Sequence, residues 1–353
     1  MNAKAFSVDL AAMADTITLQ RVVNFLKLLF SFYFSRLAGK SFAAGTPFAV
    51  SIEPTTSCNL RCPECVSGLR SFTRPTGMMN MEMYRKIMDE LSPHLFYLIL
   101  YFQGEPYLNL NFFEMVKYAG KKKIYVATST NAHYLDDEYA RLTVESGLNR
   151  IIISLDGASQ ESYEKYRIGG DFEKVIAGIK NLVVWKNKLK KHTPRIILQF
   201  LVFRHNEEEV PVIKSLGKEL GVDDVWIKTA QVYDYENGNP LIPSNEKNSR
   251  YKRKKDGTYD LKYSSPPFGG SRYLSGGGHC WKMWHSCVIT WDGRVVPCCF
   301  DKDARHQLGT LKEKYFREIW RSPEYNNFRS RILQKRREID ICKNCSEGTK
   351  VWI

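Results

Sequence analysis

From Phe48 onward, short apolar runs alternate with longer stretches whose apolar residues recur every three or four positions. The runs at 48–52, 97–102, 124–129, 150–155, 195–203 and 224–229 predict strands. The stretches at 81–90, 111–120, 136–146, 172–189 and 207–220 predict helices. Strands alternating with helices join through right-handed crossovers and build a parallel sheet. Six such units predict an α/β fold, a partial (β/α)6 barrel that stays open instead of closing eightfold. Chemistry in such folds gathers at the C-terminal strand ends.

The alternation stops near Ala230. The segment from there to about Gly278 is rich in Asn, Ser, Pro, Gly, Lys and Tyr and has no period, which predicts a lid or a disordered insert. Beyond it, runs at 287–291 and 294–298 flank Asp292-Gly293, a hairpin turn signal, and helical patterns follow at 315–321 and 325–336. The expected organisation is a helical tail (1–45), a core (46–231), a loop-rich connector (232–279) and a small cysteine-rich domain (280–353).

In the tail, the apolar run 22–34 is interrupted by Lys27 and flanked by Arg21, Arg36 and Lys40. It is too short to span a bilayer, and it lies too far from Met1, behind Asp9 and Asp15, to read as a signal peptide. Val22, Leu26, Leu29, Phe30, Tyr33 and Leu37 recur at helical spacing. Such a helix either lies on an anionic membrane surface or docks on the domain, and the sequence leaves both open. The setting expected is cytoplasmic, with peripheral contact to the inner membrane face under the first of these.

Lys plus Arg exceed Asp plus Glu by 52 − 38, a formal charge of +14. Apart from Arg250-Tyr251-Lys252-Arg253-Lys254-Lys255 the excess is diffuse, and it lacks the aromatic–basic pattern of RNA modules, so nucleic acid is not the expected partner. The nine cysteines change the picture more. They fall into an early group of three and a late group of six, an odd total that argues for metal ligation in a reducing compartment over a disulfide scaffold.

Cys58, Cys62 and Cys65 follow the first strand with the spacing C-x3-C-x2-C. Three thiolates on one loop can hold three irons of a cubane cluster and leave the fourth open to a small molecule. A zinc site is the alternative on ligand type alone. The spacing and its position resemble the signature of the radical S-adenosylmethionine (SAM) superfamily. The resemblance implies that the open iron chelates SAM, that reductive cleavage yields a 5′-deoxyadenosyl radical, and that this radical abstracts hydrogen from substrate. Gly104-Glu105-Pro106 resembles the family's GGEP motif, with Gln103 in place of the first glycine. Thr130, Asn131, Ser154, Arg167 and Gln199 stand where relatives contact SAM, one set per strand end. Glu64 departs from the family, which places an aromatic residue beside adenine.

The late stretch Cys280…Gly293…Cys298 reads C-x12-G-x4-C and resembles the opening of the SPASM domain, an auxiliary-cluster extension. With Cys342 and Cys345 it offers four thiolates, and the resemblance implies the shortened, twitch-type form with one auxiliary [4Fe-4S] cluster. A zinc ribbon is the alternative here. Cys287 and Cys299 are expected to pack, Cys299 pointing to the opposite strand face from Cys298.

The resemblance thus implies two [4Fe-4S] clusters, SAM, and a low-potential reductant such as flavodoxin or ferredoxin. Oxidation of an alcohol or similar C–H site, with the auxiliary cluster accepting an electron, is the leading expectation, and peptide modification the second. A non-enzymatic iron–sulfur carrier and a zinc-binding module are the readings from other classes. No general base is identifiable; Tyr233, Tyr235, His279 and His285 are expected to flank the mouth of the site.

Overall fold

The computed structural model describes residues 3–262 and 279–345. After helices α1 (Ala3–Ala14) and α2 (Leu19–Ala38), six strands follow in order: β1 (Ala49–Ile52), β2 (Tyr97–Ile99), β3 (Tyr125–Thr130), β4 (Arg150–Ser154), β5 (Arg195–Val202) and β6 (Asp224–Thr229). They lie side by side in chain order, every neighbouring pair parallel. Helices α3 (Val66–Leu69), α4 (Met81–Leu91), α5 (Phe112–Lys121), α6 (Asp137–Glu145), α7 (Gln160–Glu164), α8 (Phe172–Lys188) and α9 (Val210–Glu219) fill the crossovers. Local chemistry sets their starts: Asn80, Asp136 and Asp171 accept from the backbone N–H of Met83, Tyr139 and Lys174, leaving fewer orphan donors in the first turn. Leu98, Val126, Ile151, Ile153, Ile196 and Leu198 are fully or almost fully buried in the central strands. By their register these six share one face of the sheet and form its apolar layer.

The sheet continues beyond the six units. β9 (Ser286–Ile289) pairs parallel to β1, β10 (Arg294–Val296) runs antiparallel to β9, and β11 (Gly309–Thr310) antiparallel to β10. The cysteine-rich region is therefore built onto the same nine-stranded open sheet, with β6 and β11 at its edges. Buried Glu53, just past β1, takes a bidentate pair from Arg74 (2.6 and 2.9 Å) and the N–H of Trp291 in the β9–β10 turn (3.2 Å), fastening that junction.

The connector is not featureless. Its basic run forms a hairpin, β7 (Tyr251–Arg253) with β8 (Tyr259–Leu261), over a small core of Val232, Tyr235, Ile242 and Tyr251. The run Gly276-Gly277-Gly278 lies outside the described residues. β10 ends at Val296, two residues short of expectation, because Pro297 has no N–H for the ladder. Cys298 and Cys299 consequently sit in a turn, and Cys299 is exposed instead of packed. Cys287, within β9, is buried as expected.

The tail closes the N-terminal end of the sheet. Asp9 of α1 pairs with Arg195 (2.7 Å) and with Arg150 and Tyr125, at or near the first residues of β5, β4 and β3. α2 docks on the domain through a mixed face, burying Leu28 and Phe32 together with Arg21, Asn24, Ser31 and Ser35. No helix among the described residues is long and apolar enough to cross a membrane.

Candidate functional site

The chain leaves β1 into the loop that carries Cys58, Cys62 and Cys65, and Cys65 caps the short helix α3. The loop wraps so closely that a Cβ on Gly68 would lie 2.6 Å from the backbone N and O of Cys62. The three thiols line one open cleft at the C-terminal strand ends, with an empty volume of about 440 Å³, together with Glu105, Thr130, Asn131, Ser154 and Arg167. Burial pushes the Cys58 thiol up to about 12 and raises Cys62 as well, the neighbouring acidic groups adding to the first. Buried thiols of this kind need a metal's positive charge to exist as thiolates. Three thiols around an open cleft suit a cluster with one free corner. No group of three or more His, Cys, Asp or Glu among the described residues is placed to hold a single ion.

Gly104 and Glu105 reach the cleft by a sharp turn after β2. Gly104 has φ +74°, and a Cβ there would lie 2.4 Å from Thr55 O. Glu105 N donates to Ser57 O (2.7 Å), which ties this turn to the cysteine loop. The Glu105 carboxylate accepts from the Thr130 hydroxyl (2.7 Å) and the Asn131 N–H (2.8 Å), and burial raises its pKa to about 7. It is thus held beside the cleft with no cationic side chain paired to it in an ion pair among the described residues, the setting that favours an incoming ammonium. Pro106 is buried behind it in a single 3-10 turn.

Arg167 is oriented by a residue the sequence reading did not single out. Buried Asp156, just past β4, pairs with its guanidinium at 2.6 Å, while Nη1 lies 3.9 Å from Cys62 Sγ. Ser154 lines the cleft; Gln199 stands beside it in register on β5, half-buried and outside the lining. Asn59, Ser67, Tyr101 and Ser129 also belong to the site: Asn59 Oδ1 accepts from Asn131 Nδ2 (2.8 Å), and Ser67 Oγ accepts from Gly104 N (2.9 Å). Their positions between or beside the recognised motif residues were the available signal.

Glu64 has a use of its own. Its carboxylate accepts from Tyr233 N (2.7 Å) and Asn239 Nδ2 (3.2 Å), binding the connector to the cysteine loop, and Lys302 donates to the Tyr233 hydroxyl (2.9 Å). His285 is not at the mouth. It is buried at the other end of the sheet, stacked on Phe48 with centroids 4.8 Å apart. Tyr235 is likewise committed to stacking on Tyr251.

In the C-terminal region Cys280 and Cys345 lie near each other, and both lie near Cys298 and near Cys342. Arg336, 6% exposed, sits among them: Nη1 donates to His279 O (2.7 Å), and Nη2 is 3.5 Å from Cys345 Sγ. Four thiols with a buried guanidinium beside them fit a fully ligated iron–sulfur cluster. Cys287 stands apart, near Arg329 and Tyr325.

Two family models match this chain: the radical SAM superfamily over residues 52–214, and SPASM, an iron–sulfur cluster-binding domain, over residues 280–346. The chain belongs to the radical SAM superfamily and carries a SPASM domain. This radical SAM enzyme is 26% identical over 84% of its length to a tungsten-containing aldehyde ferredoxin oxidoreductase cofactor-modifying protein of Pyrococcus furiosus, covering 86% of it. It is 25% identical over 85% of its length to the mycofactocin maturase MftC of Mycobacterium ulcerans, covering 80% of that protein. Its fold resembles that of SuiB from Streptococcus suis bound to S-adenosylmethionine, at 15% identity and TM-score 0.62, over 86% of this chain and 72% of that one. As a radical SAM–SPASM protein it uses iron–sulfur clusters and SAM. The cleft fits SAM with one cluster, and the thiols beside Arg336 fit another.

Proposed function

We propose that this radical SAM enzyme removes two electrons from a C–H site of its substrate, with the SPASM cluster taking one of them. When bound, SAM and the cluster at Cys58, Cys62 and Cys65 supply the hydrogen-abstracting radical. Glu105 holds the SAM amino group, its carboxylate already aimed by Thr130 and Asn131. Arg167, fixed by Asp156, presents Nη1 to the cleft for the SAM carboxylate. Ser154 offers a hydroxyl to the ribose, and Gln199 supports it from the adjacent strand. Cys280, Cys298, Cys342 and Cys345 hold the auxiliary cluster.

One observation carries the coupling of the two thiol sets. Residues 232–233 of the connector bind both: Tyr233 N donates to Glu64, next to Cys65, and Val232 O accepts from Asn344 Nδ2 (2.7 Å), beside Cys345. A short hydrogen-bonded bridge from one cysteine loop to the other supports electron removal at the second site. A flavodoxin- or ferredoxin-like protein fits as reductant, and a reducing cytoplasm as the setting for nine free cysteines.

A second reading, a maturase acting on a peptide, is favoured by a relative. MftC is itself named a maturase, and a structure of SuiB holds the precursor peptide SuiA. Reconstituted enzyme given SAM, reductant and fractions of cell extract distinguishes the two. Small-molecule oxidation predicts a protease-resistant product lighter by two hydrogens whose formation requires Cys342. Activity lost on protease treatment of the fraction supports the maturase, and a product that forms without Cys342 contradicts the electron-acceptor role.

A further inference from the structure

Helix α2 buries Leu28 and Phe32 in the core, yet it carries a second apolar row on its outer face. Leu19 (82% exposed), Leu26 (57%), Phe30 (60%), Tyr33, Phe34 and Leu37 (89%) point outward. At about 100° and 1.5 Å per residue they form one stripe roughly 27 Å long. The buried side is mixed: Leu28 and Phe32 are fully buried in the core, Phe32 against Trp281 and Trp284, and the polar groups beside them are each hydrogen-bonded. The Arg21 guanidinium donates to the carbonyls of Thr16, Ser92, Lys122 and Lys123 at 2.6–2.9 Å. Asn24 exchanges two hydrogen bonds with the Thr46 backbone, while Ser31 and Ser35 hydroxyls accept from the N–H of Ala44 and Phe42. Turning the helix to bury its stripe would break all of these contacts, each leaving a buried polar group unpaired. The outward apolar face is therefore fixed by the fold, and a contiguous exposed patch of this size marks an interaction surface.

Charge selects the partner. Lys27 lies about 80° to one side of the stripe and Arg36 about 100° to the other on the helical wheel, and Lys40 follows the helix end. Between Asp15 and Glu53 the chain has no acidic residue, and its net charge is +14. An apolar face rimmed by cations alone complements an anionic lipid surface, with acyl chains under the stripe and headgroups at the rim. A second copy of the same face would bring like charges together. The geometry points to α2 as an interfacial helix that seats this protein on an anionic bilayer, lying in the surface without crossing it. Arg21 reaches carbonyls that precede β2 and β3, so the cleft at the opposite strand ends is left clear.

The test uses the full chain, floated with phosphatidylcholine vesicles that either contain about 30% phosphatidylglycerol or lack it. Wild-type protein is expected to float with the anionic vesicles and much less with the neutral ones. Leu26→Asp with Phe30→Asp should reduce anionic flotation by at least about tenfold, and Lys27→Glu with Arg36→Glu should abolish the preference for anionic lipid. All four positions are away from the cleft, and circular dichroism checks that the variants fold. Failure of the wild type to float, or undiminished flotation of the Leu26/Phe30 variant, overturns the inference. So does a lipid-free dimer that this variant converts to monomer, which would mean that a second copy covers the stripe.

Discussion

Arg336 gives the sharpest quantitative prediction. Its guanidinium is buried beside the thiols of Cys280, Cys342 and Cys345, 3.5 Å from Cys345 Sγ. If these thiols hold a cluster whose centre is taken at about 6 Å from the guanidinium, a unit positive charge at an effective dielectric of about 20 would stabilise each added electron by about 2.8 kcal/mol. At about 59 mV per tenfold for one electron this corresponds to about 120 mV, and water entering the vacated space lowers the expected shift to roughly 50–120 mV. Arg336→Met should therefore make the auxiliary cluster harder to reduce by that amount, while Arg336→Lys, which keeps the charge, should stay within about 30 mV of wild type. The assay is a redox titration followed by electron paramagnetic resonance, on protein matched for iron and sulfide content. Met also removes the hydrogen bond to His279 O, so a loss of about 1 kcal/mol in stability is expected alongside. A midpoint unchanged in the Met variant, or shifted upward, refutes the reasoning.

Three further outcomes follow from the geometry. Glu105→Gln keeps the shape that Thr130 and Asn131 hold but removes the charge, so SAM binding measured by equilibrium dialysis should weaken roughly 10–100-fold; an unchanged affinity would deny Glu105 its role. Gly104→Ala places a Cβ 2.4 Å from Thr55 O at φ +74°, and should cost at least about 2 kcal/mol in denaturant unfolding as well as SAM binding. Burial, with nearby Lys282, depresses the His285 pKa from 6.5 to about 3, so below pH 6.5 the unfolded chain takes up a proton that the folded state refuses. Stability is then lost as pH falls from 6.5 toward 3, by about 2 kcal/mol at pH 5; His285→Phe should flatten this slope, and an unaltered slope would count against the burial account.

The parallel core was legible because its period is local: β-branched runs and capped helices announce themselves within a few residues, and six strand–helix units follow. The Cys58, Cys62 and Cys65 loop, and the strand-end positions of Glu105, Thr130, Asn131, Ser154 and Arg167, were legible by their order along the chain. Asp156 was not, because its importance lies in a contact with Arg167 that eleven residues of sequence do not specify. Glu64 read as a mere departure from the family pattern; only the fold shows it bonded to Tyr233, 169 positions away. The attachment of β9 to β1 joins residues more than two hundred positions apart, and no local pattern encodes it. α2 was recognised as amphipathic, yet periodicity cannot say which face docks. Buried Leu28 and Phe32, with the hydrogen bonds of Arg21 and Asn24, decide that, and a second apolar row is left outside.

The most direct test of the two-site account is 5′-deoxyadenosine release from SAM by anaerobically reconstituted, dithionite-reduced protein, compared across wild type, Cys58→Ala and Cys342→Ala. Release by wild type and Cys342→Ala, with none from Cys58→Ala, is the predicted result, since initiation belongs to the cleft and electron removal to the second thiol set. Release that survives Cys58→Ala, or that disappears in Cys342→Ala protein retaining its first cluster, would contradict that division.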